Sequence, residues 1–229
     1  MSVNEWFEVD RAVLSFFNDS DSLFLDGLAS CLTCGYLWIP LYIALLILII
    51  KNNETMGQIA LAVGATIVCV ILSDGLADFV VKPAVARLRP TEDPLIKYAV
   101  HVVNCYRADG FSFFSAHAAN TMAIATFFCL VVRNRIFSAF LVFWALTNSW
   151  TRLYLGVHYP SDVLVGMAWG AVSGALVYLL YRRLYGRISP KQHYISSQYP
   201  RTGYSLTDID MVNCVLVATY LFAIIFSVI

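Results

Sequence analysis

The chain has 229 residues, 59% of them hydrophobic and 13% charged, and its 15 basic and 15 acidic residues give a formal net charge of zero. A soluble domain carries roughly a quarter charged residues, so this composition, with a mean hydropathy of +0.70, excludes an ordinary soluble protein and indicates an integral membrane protein. The balanced charge also argues against a nucleic-acid-binding face.

The first element is an amphipathic segment over residues 1–22. Val3, Trp6, Val9 or Asp10, Val13 and Phe17 recur at helical spacing, with Glu5, Glu8 and Arg11 on the other side, a pattern suited to a helix lying in the membrane interface. Its acidic start and lack of an uninterrupted apolar stretch argue against a cleavable leader. Six stretches near the length of about 20 apolar residues needed to cross a bilayer follow: residues 27–50, 56–81, 113–132, 136–155, 163–181 and 211–229. Pro40 is the expected kink of the first, and Asp74 and Asp78 interrupt the second. Residues 182–210 form a basic linker rich in Tyr, Ser, Gln, Pro and Arg. The expected fold is all-α: one domain of six transmembrane helices with an N-terminal interfacial helix.

Charge bias in the short loops sets the orientation. Lys51, Arg133, Arg135, Arg182, Arg183, Arg187, Lys191 and Arg201 fall on one side against Glu54, Asp208 and Asp210, while the other side is rich in acidic residues. The positive-inside rule makes the first side cytoplasmic. The six cysteines add little: Cys31 and Cys34 form a C-x-x-C inside an apolar run with no histidine or second pair nearby, which reads as structural rather than as a metal or redox site.

Three polar clusters break the apolar pattern, and all fall at the extracytoplasmic ends of spans. Lys82 closes the second span and Arg89-Pro90 follows, an ammonium and a planar guanidinium able to grip phosphate oxygens, although basic residues at helix ends also serve as interfacial anchors. Ser115-Ala116-His117 opens the third span, where free N–H groups and the positive dipole end favour an anion; a lone histidine there is also an ordinary interfacial residue. Thr151-Arg152, His158 and Asp162 occupy the turn between the fourth and fifth spans. A carboxylate four residues from a histidine can accept its ring N–H, fix the tautomer and strengthen the other nitrogen as a nucleophile. A metal reading lacks a third and fourth ligand, because His101 lies in a loop and His193 on the opposite face.

The ordered set Lys-x6-Arg-Pro, Ser-x-His and Arg-x5-His-x3-Asp resembles the type 2 phosphatidic acid phosphatase superfamily, which also contains the vanadium haloperoxidases. Phe114 and Ala116 stand where that family usually has Pro and Gly, and Thr151 where it has Ser. The resemblance implies a lipid phosphatase that needs no metal or other cofactor. His158 would attack phosphorus to form a phosphohistidine, Asp162 would orient it, and His117 would protonate the leaving oxygen and then activate water. Lys82, Arg89, Arg152, Ser115 and the Ala116 amide would hold the phosphoryl oxygens. Asp78, one turn before Lys82, is expected to orient the ammonium, or else to face a polar bundle interior with Asp74; Asn148 is one turn before Arg152 and could fix the guanidinium or bond a neighbouring helix, with Asn120 open to the same two readings.

The substrate is expected to be a phospholipid or lipid-linked phosphate in the bilayer. The Phe-Phe-Ser-Ala-His form of the second motif is similar to that of lipid A 4′-phosphatases of Bacteroides-like bacteria, which puts lipid A first. Undecaprenyl diphosphate follows closely, then phosphatidylglycerol phosphate and phosphatidate. The implied location is the bacterial inner membrane with the site facing the periplasm. Two other classes compete: a haloperoxidase, disfavoured by the six spans, and a non-catalytic lipid-binding or transport protein, disfavoured by the intact histidines and Asp162.

Overall fold

The computed structural model describes residues 3–189 and 203–228, and every regular element among them is helical. In chain order these are α1 (Val3–Asn18), α2 (Leu23–Thr33), α3 (Ile39–Lys51), α4 (Met56–Gly75), α5 (Lys82–Val85), α6 (Ala116–Val132), α7 (Arg135–Tyr154), α8 (Pro160–Ile188) and α9 (Leu206–Phe226). A π-helical stretch, Leu76–Val81, joins α4 to α5, so that Met56–Val85 runs as one long apolar rod.

Among the described residues three helices are long and apolar enough to cross a membrane: Met56–Val85, Pro160–Ile188 and Leu206–Phe226. Counting the pair α2 and Gly35–Lys51, bent by 65°, as one span makes four. The chain is thus a helical membrane protein.

Several expected boundaries move. The break in the first apolar stretch is a 3-10 turn at Gly35–Trp38 and not a kink at Pro40, which sits in the first turn of α3, where proline lacks only an N–H that the helix would not use. The indole of Trp38 donates to the Leu32 carbonyl at 2.9 Å, repairing an acceptor that the break frees. α8 runs to Ile188, so Arg182, Arg183 and Arg187 extend a helix instead of starting a linker, and Asp208 and Asp210 belong to α9. Residues 190–202, with Lys191, His193 and Arg201, and the end of the sixth expected span at residue 229 lie outside the described residues. At the expected cytoplasmic end, Lys51 pairs with Asp208, and Arg133 donates to the Tyr178 hydroxyl at 2.6 Å.

α6 is the central helix. Although short, it is buried over most of its length, between α4, α7 and α8. Its tightest contact follows from a stripe of small residues on α8: Gly166, Gly170 and Gly174 face the backbone of α6. A Cβ at these positions would stand 2.5 Å from Ser115 O, 2.3 Å from Ala119 O and 2.5 Å from Ala123 O. Helices in lipid gain little from burying apolar surface against one another, so close backbone approach through small residues supplies the packing instead. Between α4 and α8 the Ser73 and Ser173 hydroxyls bond at 3.1 Å, and between α4 and α6 Asn120 donates to Asp74 at 3.0 Å. Asp74 and Asn120 therefore satisfy the bundle-interior reading rather than the site.

This packing brings the start of α6, the end of α7 and the start of α8 to one end of the bundle. A long connection, residues 86–115, folds over that end. α1 is tied into it: Asn18 donates to the carbonyls of Tyr154 (2.7 Å) and His101 (2.9 Å) and accepts from the His101 amide, and Arg11 pairs with Asp93 at 3.0 Å.

Candidate active site

Each helix end presents its polar cluster for a local reason. Ser115 is the N-cap of α6: its hydroxyl accepts from the Ala118 amide at 3.4 Å, and its own N–H donates to the Asp162 carbonyl at 3.0 Å, stitching the starts of α6 and α8 together. Ala116 and His117 form the first turn of α6, where the amides have no intrahelical acceptor. His117 is exposed while Ser115 is fully buried. α7 ends in a tight turn through Gly156, whose φ of +64° suits a residue without a Cβ. Pro160 then starts α8, and Asp162, at its third position, accepts from the Tyr159 amide at 2.9 Å in a capping box.

These turns gather three cations and two histidines. Lys82 pairs with Asp78, four residues earlier on the same face. Arg89 is buried and spread among carbonyls, Nε to Gly110 at 3.0 Å, Nη1 to Val157 at 3.0 Å and Nη2 to Asp109 at 2.8 Å, while Nη1 also meets His158 Nε2 at 3.2 Å. Arg152, equally buried, donates to the hydroxyls of Thr33 and Tyr106, and its Nε has no partner among the described residues. His117 lies within electrostatic reach of Arg152, His158, Lys82 and Arg89.

The contact between Arg89 and His158 assigns the ring's proton. A guanidinium can only donate, so Nε2 must be the bare nitrogen and Nδ1 carries the hydrogen. Burial lowers the pKa of His158 to about 4 against the opposing pull of Asp162, with Arg152 and Arg89 adding to the depression. The ring is therefore neutral near pH 7, with its lone pair directed at the cationic cluster.

Two expectations meet a different geometry. Asp162 Oδ2 lies 3.7 Å from His158 Nδ1, too far for a hydrogen bond, because the carboxylate is taken by Ser112, the Tyr159 amide and Arg87. Among the described residues Asn148 bonds neither Arg152 nor a neighbouring helix: its amide donates to Trp144 O one turn earlier in α7 at 2.9 Å. The Thr151 hydroxyl donates to Asn148 O of its own helix at 2.7 Å and also lies 3.4 Å from the Thr33 hydroxyl of α2.

Three residues that the sequence did not single out are built into the site. Arg87 donates to Asp162 Oδ1 at 2.6 Å, to Ser161 Oγ at 2.7 Å and to Asp10 Oδ2 at 2.7 Å, and its guanidinium stacks 3.8 Å from the Tyr159 ring centre. Ser112 is fully buried beside Asp162 and His158. Asp10 of α1 also accepts from the Ser161 amide at 2.9 Å. Among the described residues no group of three or more His, Cys, Asp or Glu is placed to hold a metal ion.

A neutral histidine among fixed cations, with a second histidine nearby, suits attack on a phosphoryl group whose negative charge is held as it redistributes. The model of the PAP2 superfamily matches residues 58–185, which carry all three clusters. The chain belongs to the PAP2 superfamily. It is accordingly a phosphoric ester hydrolase. It is 37% identical over 183 residues to a lipid A 4′-phosphatase of Bacteroides thetaiotaomicron, covering 79% of this chain and 80% of that one. A lipid A 4′-phosphatase of Porphyromonas gingivalis is 30% identical over 79% of this chain and 75% of its own length. The crystal structure of a transmembrane PAP2-type phosphatidylglycerolphosphate phosphatase from Bacillus subtilis superimposes with a TM-score of 0.58 at 21% identity, covering 83% of this chain and 90% of that one, and so shares the fold.

Proposed function

We propose that this PAP2 phosphatase removes a phosphate from lipid A at the outer face of the bacterial inner membrane through a phosphohistidine on His158. The observation that carries the mechanism is the bare Nε2 of a buried, neutral His158 facing Arg89. Nε2 attacks phosphorus and displaces the sugar oxygen, which takes a proton from His117; His117 then removes a proton from the water that splits the N–P bond. Lys82, Arg89, Arg152 and the amides of the first turn of α6 hold the equatorial oxygens, and Ser115 shapes that turn. Asp78 orients Lys82. Thr151 and Asn148 act within α7, by holding its last turns rather than by touching substrate.

The relatives that are lipid A 4′-phosphatases favour lipid A as the substrate. In this reading α6 and α7 also cross the bilayer, giving six spans, with α1 in the outer interface beside the site. The test is phosphate release from lipid A, undecaprenyl diphosphate, phosphatidylglycerol phosphate and phosphatidate by purified wild type and His158→Ala. Lipid A should be turned over fastest and His158→Ala should release nothing. Turnover by that variant overturns the mechanism, and a faster undecaprenyl diphosphate reaction overturns the substrate.

A further inference from the structure

The residue pair expected to form the nucleophile and its orienting acid is close but not within hydrogen-bonding distance. Asp162 Oδ2 and His158 Nδ1 are 3.7 Å apart, and the carboxylate cannot close that gap without leaving partners from three separate stretches: Arg87 at 2.6 Å on Oδ1, and the Tyr159 amide at 2.9 Å and the Ser112 hydroxyl on Oδ2. Ser112 Oγ is the atom between them, hydrogen-bonded to Oδ2 and 3.4 Å from Nδ1.

Donor and acceptor rules fix the direction of this chain. The carboxylate only accepts, so the Ser112 hydroxyl gives its proton to Oδ2 and turns a lone pair outward. Arg89 only donates, so Nε2 is bare and Nδ1–H points at that lone pair. The order Arg89, Nε2, Nδ1–H, Ser112 Oγ–H, Asp162 thus runs one way without conflict. The other end is held equally firmly: the Ser112 amide donates to Arg87 O at 2.8 Å, while the Arg87 guanidinium spans Asp162 and Asp10.

We propose that Ser112 is a positioning residue whose hydroxyl links His158 to Asp162, with Arg87, anchored by Asp10 of α1, fixing the carboxylate that receives it. The proposal rests on the reading of His158 as the nucleophile. When Nε2 forms its bond to phosphorus and the leaving oxygen departs with its electron pair and the His117 proton, the His158 ring becomes cationic. No proton need leave Nδ1; the positive charge is felt by Asp162 through the intervening hydroxyl. The link strengthens as the ring gains charge, so it acts on turnover and not on ground-state binding.

The experiment compares wild type, Ser112→Ala and the nearly isosteric Ser112→Cys on lipid A, measuring kcat, KM and inhibition by orthovanadate, a phosphate mimic that the cations would bind. Expected is a fall in kcat of about 100-fold in both variants, the scale set by misplacing a reacting group by about 1 Å, with KM and vanadate inhibition within about threefold of wild type. A role in packing alone would weaken vanadate inhibition along with kcat. Wild-type kcat in either variant overturns the proposal. If Ser112→Ala does not fold, Ser112→Cys decides by the same criterion. A wild-type protein that releases phosphate from none of the lipids overturns the phosphatase reading and this inference with it, whereas wild-type turnover unaffected by Ser112→Cys overturns this inference alone.

Discussion

Replacing Gly166 by alanine should damage the site without changing any side chain in it. The added Cβ would lie 2.5 Å from Ser115 O, and ordinary contact begins at 3.4 Å, so α6 and α8 must separate locally by 3.4 − 2.5, about 0.9 Å. Overpacking of this kind costs about 1–3 kcal/mol. The displaced carbonyl belongs to the N-cap of α6, whose amide is bonded to the Asp162 carbonyl at 3.0 Å, so the strain falls on the joint that registers His117 against His158. A misplacement near 1 Å lowers rate by about 100-fold. Steady-state phosphate release and thermal unfolding in detergent read the two effects, with Gly64→Ala as the control, since nothing lies within 4 Å of a Cβ there. Gly166→Ala with the kcat and Tm of the Gly64→Ala protein would refute the claim that backbone contact between α6 and α8 sets the site's geometry.

Three further outcomes follow from the same geometry. Because His158 titrates at about 4 in the unliganded protein and in the proposed mechanism attacks only when neutral, protonation of the nucleophile should cut kcat/KM only as pH drops through about 4; an acid limb near 6.5 would mean the ring is not so buried. Arg89→Lys removes a fork that meets three carbonyls and Nε2, and should lower kcat/KM by about 100-fold or more, read by phosphate release from the same lipid. Asp78→Asn should cost at most about fivefold in kcat/KM, since a partly exposed i,i+4 pair is worth no more than about 1 kcal/mol; no change at all would remove Asp78 from any role in orienting Lys82.

The sequence carried the chemistry better than the architecture that supports it. The apolar stretches and the three clusters were legible because membrane spans and charged interruptions are strong local signals, and the clusters do arrive at one end of the bundle. Arg87 stayed hidden because a basic residue two positions before Arg89 looks like another interfacial anchor until Asp162 and Asp10, 75 and 77 residues away, are brought to it. Ser112 gave no signal either, since a serine before a helix reads as loop chemistry. The Gly166, Gly170 and Gly174 spacing was available: a Gly-x3-Gly-x3-Gly run inside an apolar stretch marks a close helix contact, though not which helix receives it. Asn148 shows the reverse failure, because one-turn spacing to Arg152 suggested a partner, while an amide inside a helix is satisfied more simply by the carbonyl behind it.

The bonds made by Asp10 bear on the order of events during synthesis. This carboxylate leaves the ribosome in the first helix, yet Arg87 is made 77 residues later and Ser161 a further 74 after that. At roughly 5–20 residues per second, Asp10 waits about 8–30 s for its last partner, and a charge waiting in the bilayer interior would be costly. In the arrangement proposed above, α1 rests at headgroup depth and lets it wait in water. The catalytic end can therefore close only once α8 has been inserted, so a nascent or truncated chain that stops short of Ser161 should display the cationic loop without a working nucleophile.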